Sequence, residues 1–229
     1  MVCLFAAAAY VCSGSAANLT WDAGNTANGA TIDPAGGTWD TTSTVWNNGT
    51  SDIVWSSANV AQFGGADAAY AITIGTAITG QRIVFLNSGY TLSANSALAI
   101  GLTTAGSGSA PSVQLSTGKT ATISNNVTIN VTASTAVIGG VVGDAGSRTL
   151  VVDAGGVLAH TGNGSFITTG NATIRVKTGG YLLAASTAGT QVTLGGGTAG
   201  TDLPVVVIDG GVFSNTVTGG PLTRWALRA

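Results

Sequence analysis

The chain has 229 residues, of which 7% are charged, with seven Lys or Arg, nine acidic residues that are all Asp, and a net charge of −2. Basic residues this few and scattered build no stripe that would neutralise phosphates, which excludes nucleic-acid binding, and without Glu and with little Lys or Arg a solvated helical layer is excluded too. The chain is 45% hydrophobic with almost no net charge, which excludes disorder, and its Gly, Thr, Ser, Asn, Val and Ile suit short strands joined by narrow turns.

Residues 1–17 read as a signal peptide. Leu4 to Val11 is an uninterrupted apolar run, and Ser15-Ala16-Ala17 supplies the small residues that signal peptidase needs. The run is far short of the roughly 20 apolar residues that span a bilayer. No Lys or Arg precedes Arg82, so the usual basic n-region is lacking, and a truncated start is expected. Cys3 and Cys12 both lie in this segment. Its removal leaves no thiol for a disulfide or a Cys-based metal site.

Residues 18–66 form a tryptophan-, asparagine- and glycine-rich region, expected to be an N-terminal cap or the first rungs of a coil. Thr20-Trp21-Asp22 recurs as Thr38-Trp39-Asp40, and Trp46 and Trp55 follow among Asp, Asn, Ser, Thr and Gly. Such small polar residues disfavour a helix, because their side chains offer the backbone local alternatives. Ile53-Val54-Trp55 and Val60-Ala61-Gln62-Phe63 alternate instead, each closed by a turn-forming cluster. WD dipeptides also occur in β-propellers, but those pair them with Gly-His, which this chain lacks.

The set Trp39, Asp40, Trp46, Asn48 and Gly49, followed by Trp55, Ala61, Phe63, Gly64 and Gly65, resembles the autotransporter-associated β-strand repeat family. Ala71-Ile72-Thr73-Ile74-Gly75, Ile83-Val84-Phe85 and Gly89-Tyr90-Thr91-Leu92 extend the likeness to Gly101; beyond that it is generic. The resemblance implies a secreted or surface-displayed bacterial β-solenoid, with no catalytic residue to carry over. It also implies a C-terminal translocating barrel in the full-length gene product, which this chain does not contain.

Residues 67–218 repeat a unit of apolar-x-apolar, a Gly-containing turn and a second short strand. Ile83–Leu92 aligns with Val113–Ala121, then with Leu150–Leu158, Ile174–Leu182 and Val206–Phe213. Alternation puts one row of side chains inward, and a single rung cannot bury that row without neighbours stacked on it. The expected fold is all-β: a right-handed parallel β-helix with two or three strands per turn and an aromatic-rich cap. Ser107–Pro111 and Gly195–Gly200 would be corner loops. An antiparallel β-sandwich is the competing architecture. Residues 219–229 depart from the pattern, as a truncated gene or fragment would.

Chemistry is sparse. His160 is the only histidine and has no second metal-ligand side chain near it in sequence. Asp144, Arg148 and Asp153 are the best local set for a polysaccharide lyase or hydrolase. On an extended strand, however, Arg148 and Asp153 face opposite sides. Gly195–Asp202 carries a single partial match to a calcium-binding nonapeptide, a site that needs successive repeats. No catalytic, cofactor or metal residue is therefore assigned. The expected function is a non-catalytic structural or adhesive passenger-like segment of an exported bacterial surface protein, with surface glycans or matrix as partners. A β-helix carbohydrate-active enzyme or a glycan-binding module is the alternative.

Overall fold

The computed structural model describes residues 16–24, 31–57, 59–103, 112–132, 136–140, 146–162, 166–186, 192–194, 205–217 and 226–227. Residues 1–15 of the targeting segment, the Ser107–Pro111 loop, Asp144, the Gly195–Asp202 stretch and most of the tail lie outside these. The described residues contain strands and turns and no helix.

The chain opens with β1 (Asn18–Trp21), β2 (Gly37–Trp39), β3 (Trp46–Asn47) and β4 (Asp52–Ile53). It then runs through β5 (Val60–Phe63), β6 (Tyr70–Ile74) and β7 (Ile78–Gly80), then β8 (Arg82–Phe85), β9 (Tyr90–Ala94) and β10 (Leu98–Leu102). Next come β11 (Val113–Leu115), β12 (Thr120–Ile123), β13 (Val127–Val131), β14 (Ala136–Gly139), β15 (Arg148–Val152) and β16 (Val157–His160). The last are β17 (Phe166–Thr169), β18 (Ala172–Lys177), β19 (Tyr181–Ser186), β20 (Val192–Leu194), β21 (Val205–Asp209), β22 (Val212–Val217) and β23 (Ala226–Leu227).

From β5 onward, successive strands go in turn to three sheets. Sheet A has ten strands in the order β23-β20-β17-β14-β11-β8-β5-β1-β3-β4. Sheet B has seven, β2-β6-β9-β12-β15-β18-β21, and sheet C has six, β22-β19-β16-β13-β10-β7. Every pairing between these strands is parallel except the excursion β1-β3-β4, which is antiparallel. Long parallel sheets visited in a fixed order, three strands to a circuit, are compatible with a β-helix or solenoid. They replace the antiparallel sandwich considered from the sequence.

Alternation fixes which residues fill the interior. Tyr90–Ala94 and Val127–Val131 each bury every second side chain. Because the circuits stack in register, buried residues form columns. Ile72, Leu92, Ile123, Val152 and Val176 follow one another up sheet B, all fully buried. Ile78, Ile100, Ile129, Leu158 and Leu182 do the same on sheet C.

The corners are built by backbone bonds between circuits. At the B-to-C corner the Asn125 N–H donates to Ala154 C=O at 2.8 Å, Asn126 to Gly155 at 2.9 Å, and Gly155 to Gly179 at 2.8 Å. Gly155 has φ +73°, a region that side chains with a Cβ rarely adopt. At the A-to-B corner Gly89 is held at φ +94°, where a Cβ would collide with the Ala68 carbonyl of the preceding circuit.

The repeat alignment is right within a sheet and fails between sheets. Ile83 does lie beside Val113, and Leu150, Ile174 and Val206 are consecutive partners. Val113, however, lies on sheet A and continues to Ile138, whereas Leu150 belongs to sheet B and lies beside Ala121. Both sheets present an apolar-x-apolar strand, so the pattern gives no sign of the switch. Leu92 pairs with Ile123, two residues beyond the expected Ala121. A slip of two leaves every side chain on the same face, so alternation is blind to it.

Candidate functional site

Three regions carry side chains beyond the repetitive core: the tryptophan end, the strand-end polar residues of the middle circuits, and the outer sheet faces. At the tryptophan end, Trp21, Trp39, Trp46 and Trp55 are all buried. Trp46 lies 4.9 Å from Trp39, 4.8 Å from Trp55 and 5.2 Å from Trp21, centroid to centroid, in tilted and edge-to-face arrangements. Trp21 and Trp39 are ordinary members of β1 and β2, so part of the cluster is simply first-circuit core. Trp46 and Trp55 come from the antiparallel excursion and the segment after it. The Trp55 indole N–H donates to the carbonyl of Thr79 at 2.9 Å, on β7, the first strand of sheet C. Its ring packs so closely on Gly80 that a Cβ there would lie 3.0 Å from it.

Beside this cluster sits an acidic pair that no motif or spacing singles out. Asp22 follows β1 and is 1% exposed; Asp52 opens β4. One Asn47 amide nitrogen donates to both, at 3.3 Å to Asp22 Oδ2 and 3.0 Å to Asp52 Oδ1. Asp22 also accepts the Asp33 backbone N–H at 2.6 Å. Burial and the neighbouring Asp22 carboxylate push the Asp52 carboxyl above its ordinary value, against the Asn47 hydrogen bond. The two residues are far apart in sequence, and only the pairing of β1 with β3 and β3 with β4 brings them together.

Of the residues nominated from sequence for chemistry, Arg148 and Asp153 are not brought together. Arg148 begins β15 and is 1% exposed, its Nη1 donating to Gly170 C=O at 2.6 Å and its Nη2 to Thr117 Oγ1 at 3.2 Å. A Cβ on Gly140 would collide with this guanidinium, so Gly140 gives the space that the Arg148 side chain occupies. Asp153 leaves the far end of β15, accepts the Ala154 N–H at 2.8 Å and pairs with Lys177 Nζ at 3.2 Å. The Ala154 N–H, helped by the Lys177 ammonium, holds its carboxyl below the ordinary value. His160 ends β16, fully buried, in register with Val131 below and Ala184 above. Among the described residues no three His, Cys, Asp or Glu side chains group as metal ligands.

The outer faces change character along the stack. On sheet B, Thr120, Thr149 and Thr173 form an outward hydroxyl row, with the ~4.8 Å spacing of neighbouring strands. Farther on, charges take over that face: Arg175 meets Asp209 at 3.4 Å and Lys177 meets Asp153. On sheet C the outward positions run from Thr128 and Asn130 to Val157 and Ala159, then Tyr181 and Leu183, then Val212 and Ser214. Val157, Tyr181, Leu183, Val212 and Ser214 border an open, mainly apolar cleft of about 410 Å³. The column Val157, Tyr181, Val212 was already aligned by the repeat; which face it took was not.

No protein-family model, curated protein or solved structure matches this chain.

Proposed function

We propose that the chain is a right-handed parallel β-helix serving as a structural, stalk-like or adhesive segment of an exported bacterial surface protein, and that it is not a catalyst. The observation that supports this reading is the in-register column running through consecutive circuits, from Ile72 to Ile208 on sheet B. Each circuit adds a fixed rise and buries its apolar row only against its neighbours, which makes a stiff, extendable spacer. Scarce charge, thiols confined to residues 1–17 and the outward Thr row of sheet B fit a surface location with glycans or matrix as contacts. The carbohydrate-active alternative is disfavoured by the separate engagements of Arg148 and Asp153.

The test is protease treatment of intact cells producing the full chain, paired with a polysaccharide-cleavage screen of the purified protein. The protein is expected to be shaved from the cell surface and to leave polysaccharides intact. Protection until the cells are lysed, or cleavage that Asp153→Asn abolishes, would sink the proposal.

A further inference from the structure

The turn between β3 and β4 is Asn48-Gly49-Thr50-Ser51, and Asn48, Gly49 and Thr50 are exposed. The Asn48 N–H donates to Ser51 C=O at 3.1 Å and closes the turn. Its side-chain Oδ1 accepts three hydrogen bonds: from the Thr50 N–H at 2.9 Å, the Thr50 hydroxyl at 2.8 Å and the Ser51 N–H at 3.0 Å. A single bond of this kind is the ordinary fastening of an Asn turn. Three donors converging at these distances on one carbonyl oxygen are the arrangement that stabilises an oxyanion. The backbone nitrogen of Gly49 is the atom whose attack on the Asn48 Cγ closes a five-membered ring. Gly49 has φ +96°, and a Cβ there would meet nothing within 4 Å, so the surroundings of this residue are open.

We propose that Asn48 is a site of spontaneous conversion to isoaspartate, promoted by the Thr50 and Ser51 donors, and that the conversion loosens the β3–β4 excursion. The Gly49 nitrogen gives its proton to hydroxide and attacks Cγ. The N–Cγ bond forms while the carbonyl π pair moves onto Oδ1, where the three donors receive the charge. Collapse breaks the Cγ–Nδ2 bond, and Nδ2 takes a proton from water and leaves as ammonia, which returns the hydroxide. Water then opens the succinimide. Cleavage of the new N–Cγ bond gives aspartate, and cleavage at the backbone carbonyl of residue 48 gives isoaspartate. One water is consumed, one ammonia is released, and nothing is oxidised or reduced. Before the attack the Gly49 N–H must leave Asn47 Oδ1, to which it donates at 2.7 Å. Asn47 is also the residue that holds Asp22 and Asp52. The isoaspartate product lengthens the main chain by one methylene and adds a carboxylate to the turn that leads into Asp52. Both changes oppose the antiparallel register of Trp46 with Ile53 and Asn47 with Asp52.

Incubation of the folded full chain at pH 8, followed by peptide mapping, tests this. Mapping is needed because Asn28-Gly29 and Asn163-Gly164, both outside the described residues, are the same dipeptide. The peptide that carries residue 48 is expected to gain the mass difference between an amide and an acid and to separate into aspartate and isoaspartate forms. Thr50→Val removes one donor to Oδ1 at an exposed position and keeps a β-branched side chain. With its strand content checked by circular dichroism, it is expected to slow the conversion about 2–10-fold, the worth of one hydrogen bond. In the converted chain, hydrogen exchange from Trp46 to Ile53 is expected to be faster than in fresh protein, with β15 to β19 unchanged. Isoaspartate that forms at residue 48 only when the chain is held unfolded in urea would overturn the proposal. An undiminished rate in Thr50→Val, or unaltered exchange across β3 and β4 after conversion, would overturn it as well.

Discussion

The two ends of the stack solve the same problem differently. Any pile of parallel strands leaves an apolar row and an unpaired edge at each end. At the tryptophan end the row is roofed by Trp46 and Trp55, and sheet A is turned antiparallel by two very short strands, β3 and β4. At the other end, among the described residues, the inner column of sheet B stops at Ile208, which is 44% exposed. Large rings cover much area at little entropic cost, and their edge-to-face contacts contribute about 0.5–1.5 kcal/mol per pair beyond area burial. One region thus ends the repeat with a different element, whereas at the other the last described strands of sheets B and C keep the form of an interior circuit.

The sharpest way to break this contrast is to remove the roof. Trp46 is fully buried and touches Trp21, Trp39, Trp55 and Phe63, so Trp46→Ala is expected to destabilise by about 3–5 kcal/mol in denaturant unfolding. The loss should start locally: hydrogen exchange in β1 to β7 is expected to accelerate before that in β15 to β19. Uniform acceleration would mean that the cluster is general core and not a closing element.

A matched pair sharpens the contrast within one column. Ile123 and Ile208 are the same residue on the same inner row of sheet B, the first fully buried and the second 44% exposed. Ile123→Ala is expected to cost about 2–5 kcal/mol, the range for a cavity in a packed interior. Ile208→Ala should cost about 1 kcal/mol or less. Equal losses at the two positions would show that Ile208 is covered in solution.

The repeat was legible because parallel in-register stacking forces equivalent residues to equivalent chemistry. Leu150, Ile174 and Val206 align in sequence as they pair in space. The sheet to which each unit belongs was not legible, since sheets A and B demand the same short pattern, and so Val113 was matched to Leu150 instead of Ile138. The outward Tyr181 and Val212 were hidden for a similar reason. Tyr181-Leu182-Leu183-Ala184 is apolar throughout, and only the burial of Leu182 and Ala184 reveals which side faces the core. Asp22 and Asp52 were unreadable because a non-repeating antiparallel excursion sets their contact. Repetition advertises itself, and departures from it do not.

The smallest effect probes how that excursion is fastened. Asp52 sits with Asp22 on one Asn47 amide, and its carboxyl is held above its ordinary 3.8 chiefly by burial. A carboxyl with a raised folded-state value contributes stability that is complete below the unfolded-state value and is lost as pH rises through the folded one. At neutral pH the charged pair therefore works against the tryptophan end. Asp52→Asn imitates the protonated form: its amide oxygen still accepts from Asn47, and its charge is gone. The variant is expected to be more stable than wild type at pH 7 by about 0.5 kcal/mol, a modest figure because Asp52 is largely screened by solvent. The difference should shrink away as pH falls below the ordinary 3.8, where the wild-type carboxyl is mostly protonated. Taking the difference cancels the opposite trend of Asp67. Its carboxyl, lowered to about 2 by the Lys119, Ser88 and Asn87 hydrogen bonds, loses its contribution as pH falls through that value. A variant whose advantage stays constant with pH, or which is less stable at pH 7, would show that Asp22 and Asp52 are not coupled through Asn47. The tryptophan end would then be held by ring packing and strand pairing alone.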